Sequence, residues 1–310
     1  MPTKRAGAVL AALALAAGVA LIYWRLVFTN RVLAAGDALT YFVPYRDYAN
    51  AALRSGHLPL WNPYLFLGAP FLANPQAAVL YPLHWPLAWL PAAKSLAGSL
   101  VLHLWLAGLG TYLYGRRVVR LEAAPALLAG LVFSLSGYLG AHAAQVNQVS
   151  AAAWLPWLLW LLEEADGSGE EGKRGSVLAF AGLAAAVGLQ FLAGHTQTSY
   201  INLVALALAA AWPGLAALST WGWNWLRSGR RQPSTTAGLA ASGRDAPVVR
   251  DSSTSRGVLY WFRQPEVERT ARRLALAAAA VALGALLAGA QLLPTWELAH
   301  PYRYMGHNGE

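Results

Sequence analysis

Seven stretches of this chain are apolar and almost free of charged residues. A helix that spans a membrane needs about 20 consecutive apolar residues, and most of these stretches approach that length. Backbone groups in lipid must satisfy their hydrogen bonds within the protein, which restricts such stretches to helices. The sequence therefore predicts an all-α, polytopic integral membrane protein with about seven transmembrane helices and interfacial helices in the first loop. The predicted spans are Ala6–Ile22, Ser95–Tyr114, Ala124–Ala143, Val149–Leu162, Ser176–Gly194, Ser199–Leu218 and Leu274–Leu293.

Composition supports this class. Only 12% of the 310 residues are charged, whereas a soluble domain carries about 25%. The net charge is +9, but Lys and Arg are scattered between apolar stretches, which indicates topology determinants and membrane lipid rather than a nucleic-acid partner. The absence of cysteine excludes disulfides, thiol chemistry and cysteine metal sites.

The distribution of basic residues predicts the orientation. With the N-terminus in the cytoplasm, 17 of the 23 Lys and Arg fall on inward segments. Ten of these lie between Arg227 and Arg273, and without them the balance is 7 to 6. A cleaved signal peptide is the alternative for the first stretch. We favour a retained span, because Arg25, Asn30 and Arg31 precede the nearest cleavage-like sequence.

The spans divide the chain into three parts. Residues 1–218 form a membrane core with an outward loop at 29–94, residues 219–272 a disordered cytoplasmic loop, and residues 273–310 the seventh span with an outward tail. Within the outward loop, the pattern of Tyr41–Arg54 predicts an amphipathic helix on the membrane surface. Arg46, Asp47 and Asn50 lie mainly on faces of this helix other than its tyrosine face. Ala77–Pro91 predicts an interfacial or re-entrant segment with Tyr81, Trp85 and Trp89 at headgroup depth.

This topology gathers polar side chains in the outward turns. We interpret them as the lining of a polar cavity that opens outward, although capping of helix ends is the simpler alternative. The cavity is favoured because His and Gln are poor caps and recur in three separate turns. The turns contain Asp37, Asp47, His57, Asn62, Asn74 and Gln76, then His142, Gln145, Asn147 and Gln148, and then His195, Thr196 and Gln197.

Asp37 follows the first span closely. Its carboxylate is suited to a general base, a metal ligand or a partner for a sugar hydroxyl, and capping of the next helix is the alternative. Asp47 is expected to be solvated, and His103 has either a functional role or a hydrogen bond to a neighbouring helix. The sequence has no P-loop, dinucleotide-binding glycine pattern, HExxH or GxSxG. No nucleotide cofactor is therefore expected, and a divalent metal stays open.

Several blocks resemble bacterial YfhO-type membrane proteins. The opening block is GD-x-x-x-YFVPYRDYANAALRSGH followed by LPLWNPYLFLGAPFLANPQ, residues 36–76, and its second part is the most specific. It is followed in order by LHLWLAGLGTYLYGRR, FSLSGYLGAHAAQVNQVSAAAWLPWLLWLLE, LQFLAGHTQTSY and GAQLLPTWELA. The resemblance covers most of the chain except residues 164–175 and 219–270.

The YfhO-type family is regarded as similar to GT-C glycosyltransferases, which take a sugar from a polyprenyl-phosphate donor on the outer membrane face. The resemblance implies transfer of a sugar to a glycan or polymer acceptor of the bacterial cell envelope, with Asp37 as the catalytic base. The remaining polar groups are expected to bind substrate. They are His57, Asn74, Gln76, His142, Asn147, His195 and Gln197.

Two alternatives to a complete enzyme remain. A lipid-carrier transporter, a flippase or a non-catalytic envelope scaffold would use the same membrane bundle. Members of the family also continue well beyond the seventh span, so the resemblance implies an N-terminal portion and, as one expectation, a truncated and inactive fragment.

Overall fold

The computed structural model describes residues 2–65, 67–167, 176–228 and 265–299, and these residues are mostly helical. The α-helices are α1 (Pro2–Ile22), α2 (Trp24–Phe28), α3 (Val43–Arg54), α4 (Ala92–Arg117), α5 (Ala123–Ser134), α6 (Gly137–Ala141), α7 (Val146–Ala152), α8 (Leu155–Asp166), α9 (Val177–Leu192), α10 (Thr196–Ser228), α11 (Pro265–Leu287) and α12 (Gly289–Ala299). A π-helical turn covers Ala38–Phe42, and 3-10 turns cover Pro75–Ala77, Pro82–His84 and Pro86–Trp89. Strands β1 (Trp61–Asn62) and β2 (Ala69–Pro70) pair antiparallel, with Trp61 opposite Pro70.

Four helical segments of the described residues are long and apolar enough to cross a membrane. They are Ala92–Arg117, Ala123–Ala141, Thr196–Thr220 and Pro265–Leu287. Two shorter apolar helices, Ala6–Ile22 and Val177–Leu192, fall at the first and fifth predicted spans. The prediction of an all-α membrane protein is thus confirmed in its coarse form.

Two of the predicted spans are broken helices. In the third, the helix stops at Ser134 and resumes at Gly137, because the Ser136 hydroxyl accepts a hydrogen bond from Leu139 N and caps the next helix. In the fourth, α7 ends at Ala152 and α8 begins at Leu155. Pro156 has no N–H to donate to the carbonyl four residues earlier, so one regular helix cannot run through this stretch.

The chain divides into two compact units, of which one contains residues 1–206 and 276–310 and the other residues 207–275. The first unit has a core of apolar side chains from α1, α4, α6 and α7, including Val19, Leu100, Leu104, Leu139 and Val149. The second unit comprises, among the described residues, parts of α10 and α11. There the Arg273 guanidinium donates to the Ala209 carbonyl at 3.0 Å.

The predicted cytoplasmic loop is shorter than its expected bounds, 219–272. Residues 219–228 are helical as the end of α10, and the Ser219 and Thr220 hydroxyls donate to the Ala216 and Ala217 carbonyls within that helix. Residues 265–272 are helical as the start of α11. Proline at the first position and acidic residues in the first turn favour a helix start there. The rest of the predicted loop lies outside the described residues.

The first loop also differs from its predicted form. Pro44 lies in the first turn of α3, which suits its missing N–H. Asp47 is exposed as expected, but Arg46 and Asn50 are buried, since this face of α3 packs against α4. Tyr81, expected at headgroup depth, is fully buried because its hydroxyl finds partners inside the protein.

A lysine fixes the segment that leads into this loop. The Lys94 ammonium, in the first turn of α4, donates to the carbonyls of Leu26, Thr29 and Arg31. These carbonyls lie at or after the C-terminal end of α2, where no later turn of helix supplies an N–H to bond them. Lys94 therefore holds the chain at a defined place just before Asp37.

Candidate functional site

The 3-10 turn Pro75–Ala77 is the centre of a polar assembly. Asn74 caps this turn, because its Oδ1 accepts from Gln76 N at 3.0 Å. The Asn74 amide also donates to the Tyr41 hydroxyl at 2.7 Å. The Gln76 carbonyl accepts from Asn147 Nδ2 at 2.6 Å. The turn thus joins the beginning of the first loop to α7, across 33 and 71 residues of sequence.

The turn between α9 and α10 contacts the same 3-10 turn, Pro75–Ala77. Gly194 has φ +83°, and a Cβ there would lie 2.1 Å from the Pro75 carbonyl oxygen and 3.1 Å from Asn147 Nδ2. Only glycine fits this conformation and this approach. Three turns that are distant in sequence therefore meet around Asn74–Gln76.

His195 follows this glycine directly and is partly buried. Its Nδ1 accepts from Thr198 N at 3.2 Å and lies 2.8 Å from the Thr198 hydroxyl, so His195 caps the start of α10. Burial, and then the nearby His142, lower the pKa of His195. The expectation that histidines in these turns are not caps is wrong for His195, because the imidazole nitrogen is an adequate acceptor for a first-turn N–H.

His142 lies at the end of α6. Its Nδ1 donates to the Tyr138 carbonyl at 2.8 Å, and its ring is 4.6 Å from the Tyr138 ring, centroid to centroid. The Tyr138 hydroxyl in turn accepts from the Gln148 amide at 2.9 Å. This local packing orients the imidazole and places it near enough to His195 to influence its proton affinity.

Asp37 lies at the start of the π-helical turn, and its carboxylate is exposed. The carboxylate does not cap that turn. Burial, with smaller contributions from Tyr45 and the Asp37 charge, raises the pKa of Tyr41 to about 12. Asp37 directly precedes the turn that contains Tyr41, and the Tyr41 hydroxyl accepts a hydrogen bond from Asn74. We call the following residues the polar turn cluster: Asp37, Tyr41, Asn74, Gln76, His142, Asn147 and His195.

Two predicted site residues are not joined to the polar turn cluster by the described contacts. His57 is exposed after α3, with its Nδ1 3.3 Å from the Ser55 hydroxyl. Gln197 is exposed in the first turn of α10. Both stay predictions as substrate-binding residues.

A cavity of about 480 Å³ lies beside the cluster. Asn74 and Pro75 line it on the side of the cluster, and Thr295 and Leu298 of α12 line it from the opposite end of the chain. Most of the remaining lining is apolar, including Phe71, Pro70 and Leu65. The cavity thus has a polar end at Asn74 and largely apolar walls.

A second polar assembly is buried near Tyr81 and contains His103, for which the sequence left open a functional role or a hydrogen bond to a neighbouring helix. Trp154 Nε1 donates to the Tyr81 hydroxyl at 3.0 Å, and that hydroxyl lies 2.6 Å from His103 Nε2. His103 Nδ1 lies 2.7 Å from the Ser99 carbonyl, which can only accept. Nδ1 therefore carries the hydrogen, and Nε2 accepts from Tyr81. We call Arg46, Tyr81, His84, Ser99, His103 and Trp154 the buried histidine network.

His84 forms the other half of this network. Its Nε2 lies 3.3 Å from Arg46 Nη2 and 2.9 Å from the Ser99 hydroxyl. Since a guanidinium only donates, Nε2 must be an unprotonated acceptor. Burial, and then the Arg46 charge, lower the pKa of His84 well below its usual value, which keeps the ring neutral. The sequence feature that could have indicated this network is the spacing of Ser99 and His103, which lie one helical turn apart.

The chemistry of the polar turn cluster is that of one exposed carboxylate among amide, phenol and imidazole groups. Such groups can accept a proton and form hydrogen bonds with hydroxyls or phosphate oxygens. Within the described residues, no group of three or more His, Cys, Asp or Glu is placed to hold a metal ion. Comparisons of the chain with family models, curated proteins and solved structures found no match.

Proposed function

We propose that this chain is a membrane glycosyltransferase of the GT-C-like kind, related to YfhO-type proteins. It transfers a sugar from a polyprenyl-phosphate donor to an acceptor of the cell envelope. The observation that carries the proposal is the exposed Asp37 carboxylate at the start of the turn that contains Tyr41, whose hydroxyl accepts from Asn74. Asn74 also lines the cavity of about 480 Å³. A base, hydrogen-bonding groups and a largely apolar cavity suit an amphipathic sugar donor.

In this mechanism Asp37 accepts the proton of the acceptor hydroxyl. The hydroxyl oxygen forms a bond to the anomeric carbon, and the bond from that carbon to the phosphate oxygen breaks, so the lipid phosphate leaves with the electron pair. Asn74, Asn147, His142 and His195 bind sugar or phosphate oxygens, and the apolar cavity walls contact the first part of the lipid chain.

The proposed setting is the bacterial plasma membrane, with the N-terminus in the cytoplasm and seven spans. Four of the spans are the long apolar helices. The other three are the shorter apolar stretches Ala6–Ile22 and Val177–Leu192 and the broken pair α7–α8. With this orientation the polar turn cluster faces outward, where the acceptor and the sugar donor of a GT-C-like reaction meet.

The test compares two carboxylates of the same loop. In Asp37→Asn the base is lost, and we expect transfer to fall by about 100-fold or more. Asp47→Asn is the matched control, because Asp47 is exposed on α3 and has no part in the proposed chemistry. The measurement is transfer of a labelled sugar from a polyprenyl-phosphate donor to an envelope glycan by the purified protein.

Two results would contradict the proposal. Transfer by Asp37→Asn at the wild-type rate would remove Asp37 from the mechanism. Movement of the labelled lipid between the leaflets of a vesicle, without any sugar transfer, would indicate a lipid-carrier transporter instead.

A further inference from the structure

Arg46 of α3 has a buried guanidinium group. Its side chain belongs to a residue that is only 5% exposed. Within the part of the chain that the structure describes, no carboxylate lies within ion-pair distance of Arg46, and its hydrogen-bond partner is the neutral His84 ring. A buried charge is strongly unfavourable unless an opposite charge compensates it. The site therefore lacks one negative charge.

Two more polar groups lie one helical turn from residues that contact His84. Arg54, at the end of α3, donates to the Ala88 carbonyl shortly before α4 begins. Arg46, two turns earlier, shares the His84 Nε2 atom with Ser99 of α4. This contact joins α3 to α4. Asn50 is one turn after Arg46 on α3, and Ser95 is one turn before Ser99 on α4.

Asn50 and Ser95 both have polar atoms without a partner. Asn50 is 1% exposed and its Nδ2 makes no hydrogen bond, and Ser95 is 0% exposed and its Oγ makes none. Unsatisfied buried polar groups are uncommon in native proteins and require an explanation. A donor amide and a hydroxyl without partners thus lie one turn along their helices from the Arg46–His84–Ser99 contact.

We propose that Arg46, Asn50 and Ser95 bind a small monovalent inorganic anion, such as chloride, between α3 and α4. The guanidinium, the amide N–H and the hydroxyl all donate hydrogen bonds, and an anion accepts all of them and supplies the missing charge. Burial lowers the pKa of Arg46 to about 10, so the guanidinium remains charged at neutral pH. The near-complete burial of all three side chains selects a small ion over a lipid phosphate group.

The experiment measures thermal unfolding of the purified full chain in detergent at constant ionic strength. Replacing gluconate by chloride is expected to raise the unfolding temperature by about 3 °C, and the rise saturates as the site fills. In Asn50→Asp the protein carries its own anion next to Arg46, so the response to chloride is lost. Ala51→Asp is the matched control, because it adds the same charge to an exposed position of the same helix and keeps the response.

An unfolding temperature of the wild type that is equal in gluconate and chloride would overturn the proposal and leave only water at this site. A full chloride response in Asn50→Asp would also overturn it. If Asn50→Asp fails to fold, bromide in crystals of the wild type decides the question. An anomalous-scattering peak between α3 and α4 supports the site, and its absence contradicts it.

Discussion

The hydrogen-bond directions around His84 and His103 leave both imidazoles neutral, because each Nε2 accepts a hydrogen bond from a neighbouring donor. Protonation of His84 would place a second positive charge beside the Arg46 guanidinium in a buried site. The same neutrality holds for His195, whose Nδ1 accepts from the first turn of α10. His84, His103 and His195 thus each accept a hydrogen bond through an unprotonated ring nitrogen, and protonation at low pH would remove that acceptor.

The stability of the protein is therefore expected to decrease as the pH is lowered. The pKa of His84 is lowered from 6.5 by burial and by Arg46, so below pH 6.5 the unfolded chain takes up a proton that the folded chain refuses. Proton uptake stabilises the unfolded state. The free energy of unfolding therefore decreases by about 1.4 kcal/mol for each pH unit, until the pH reaches the pKa of His84 in the folded protein. Unfolding in detergent between pH 7.5 and pH 5.5 measures this loss.

Two glutamine variants test the assignment to His84. His84→Gln keeps an acceptor for Arg46 but cannot be protonated, so its stability should depend less steeply on pH than that of the wild type. His57→Gln alters an exposed histidine and should leave the wild-type slope. An unchanged slope in His84→Gln would show that the acid sensitivity has another source.

Site residues could be predicted from the sequence only in part. Asn74, Gln76 and Asn147 were expected to serve one site, and the structure joins them through the Asn74–Gln76 turn. The amphipathic pattern of residues 41–54 predicts a surface helix with Arg46 on a face other than its tyrosine face, but in the structure Arg46 is buried. Its burial depends on α4 and the 3-10 turn at His84, which no local pattern reveals.

Among the helices, the α4–α5 pair is held at close range by two glycines. A Cβ on Gly108 would lie 3.1 Å from the Gly130 carbonyl oxygen, and one on Gly130 would lie 2.7 Å from the Gly108 carbonyl oxygen. The Leu15 side chain of α1 packs onto the same point. Small residues at a helix crossing allow such backbone contact in membrane bundles.

Gly130→Ala is therefore expected to destabilise the protein. Alanine favours a helix by about 1 kcal/mol over glycine, but the added methyl group must separate α4 from α5, and overpacking costs about 1 to 3 kcal/mol. Gly7→Ala is the control, since no atom lies within 4 Å of a Cβ at Gly7 of α1. Thermal unfolding in detergent measures both. A Gly130→Ala protein as stable as Gly7→Ala would show that the helices can separate without loss.

On the scale of the whole molecule, the long apolar helices determine the class of protein, whereas the orientation in the membrane is still a prediction. Placing the N-terminus in the cytoplasm puts Asp47 outside and Arg116, at the end of α4, inside. Both residues are exposed in the structure. The chain has no native cysteine, so single cysteines can report on each side.

We expect Asp47→Cys to react with a membrane-impermeant maleimide on intact cells. Arg116→Cys should react only after the membrane is permeabilised, because α4 crosses the bilayer between the two positions. Labelling of Arg116→Cys on intact cells, with Asp47→Cys protected, would reverse the orientation and place the polar turn cluster on the cytoplasmic side.

The sequence by itself determined that this is a helical membrane protein and where most of its helices lie, because hydropathy and helix propensity act over a few neighbouring residues. It also marked the turns that carry polar side chains. Only the tertiary structure decided which of those side chains meet. The Asn147–Gln76 bond joins residues 71 positions apart, and the Arg46–His84 contact joins residues 38 positions apart. Partners of buried polar groups are set by how helices pack, and that packing depends on the whole chain.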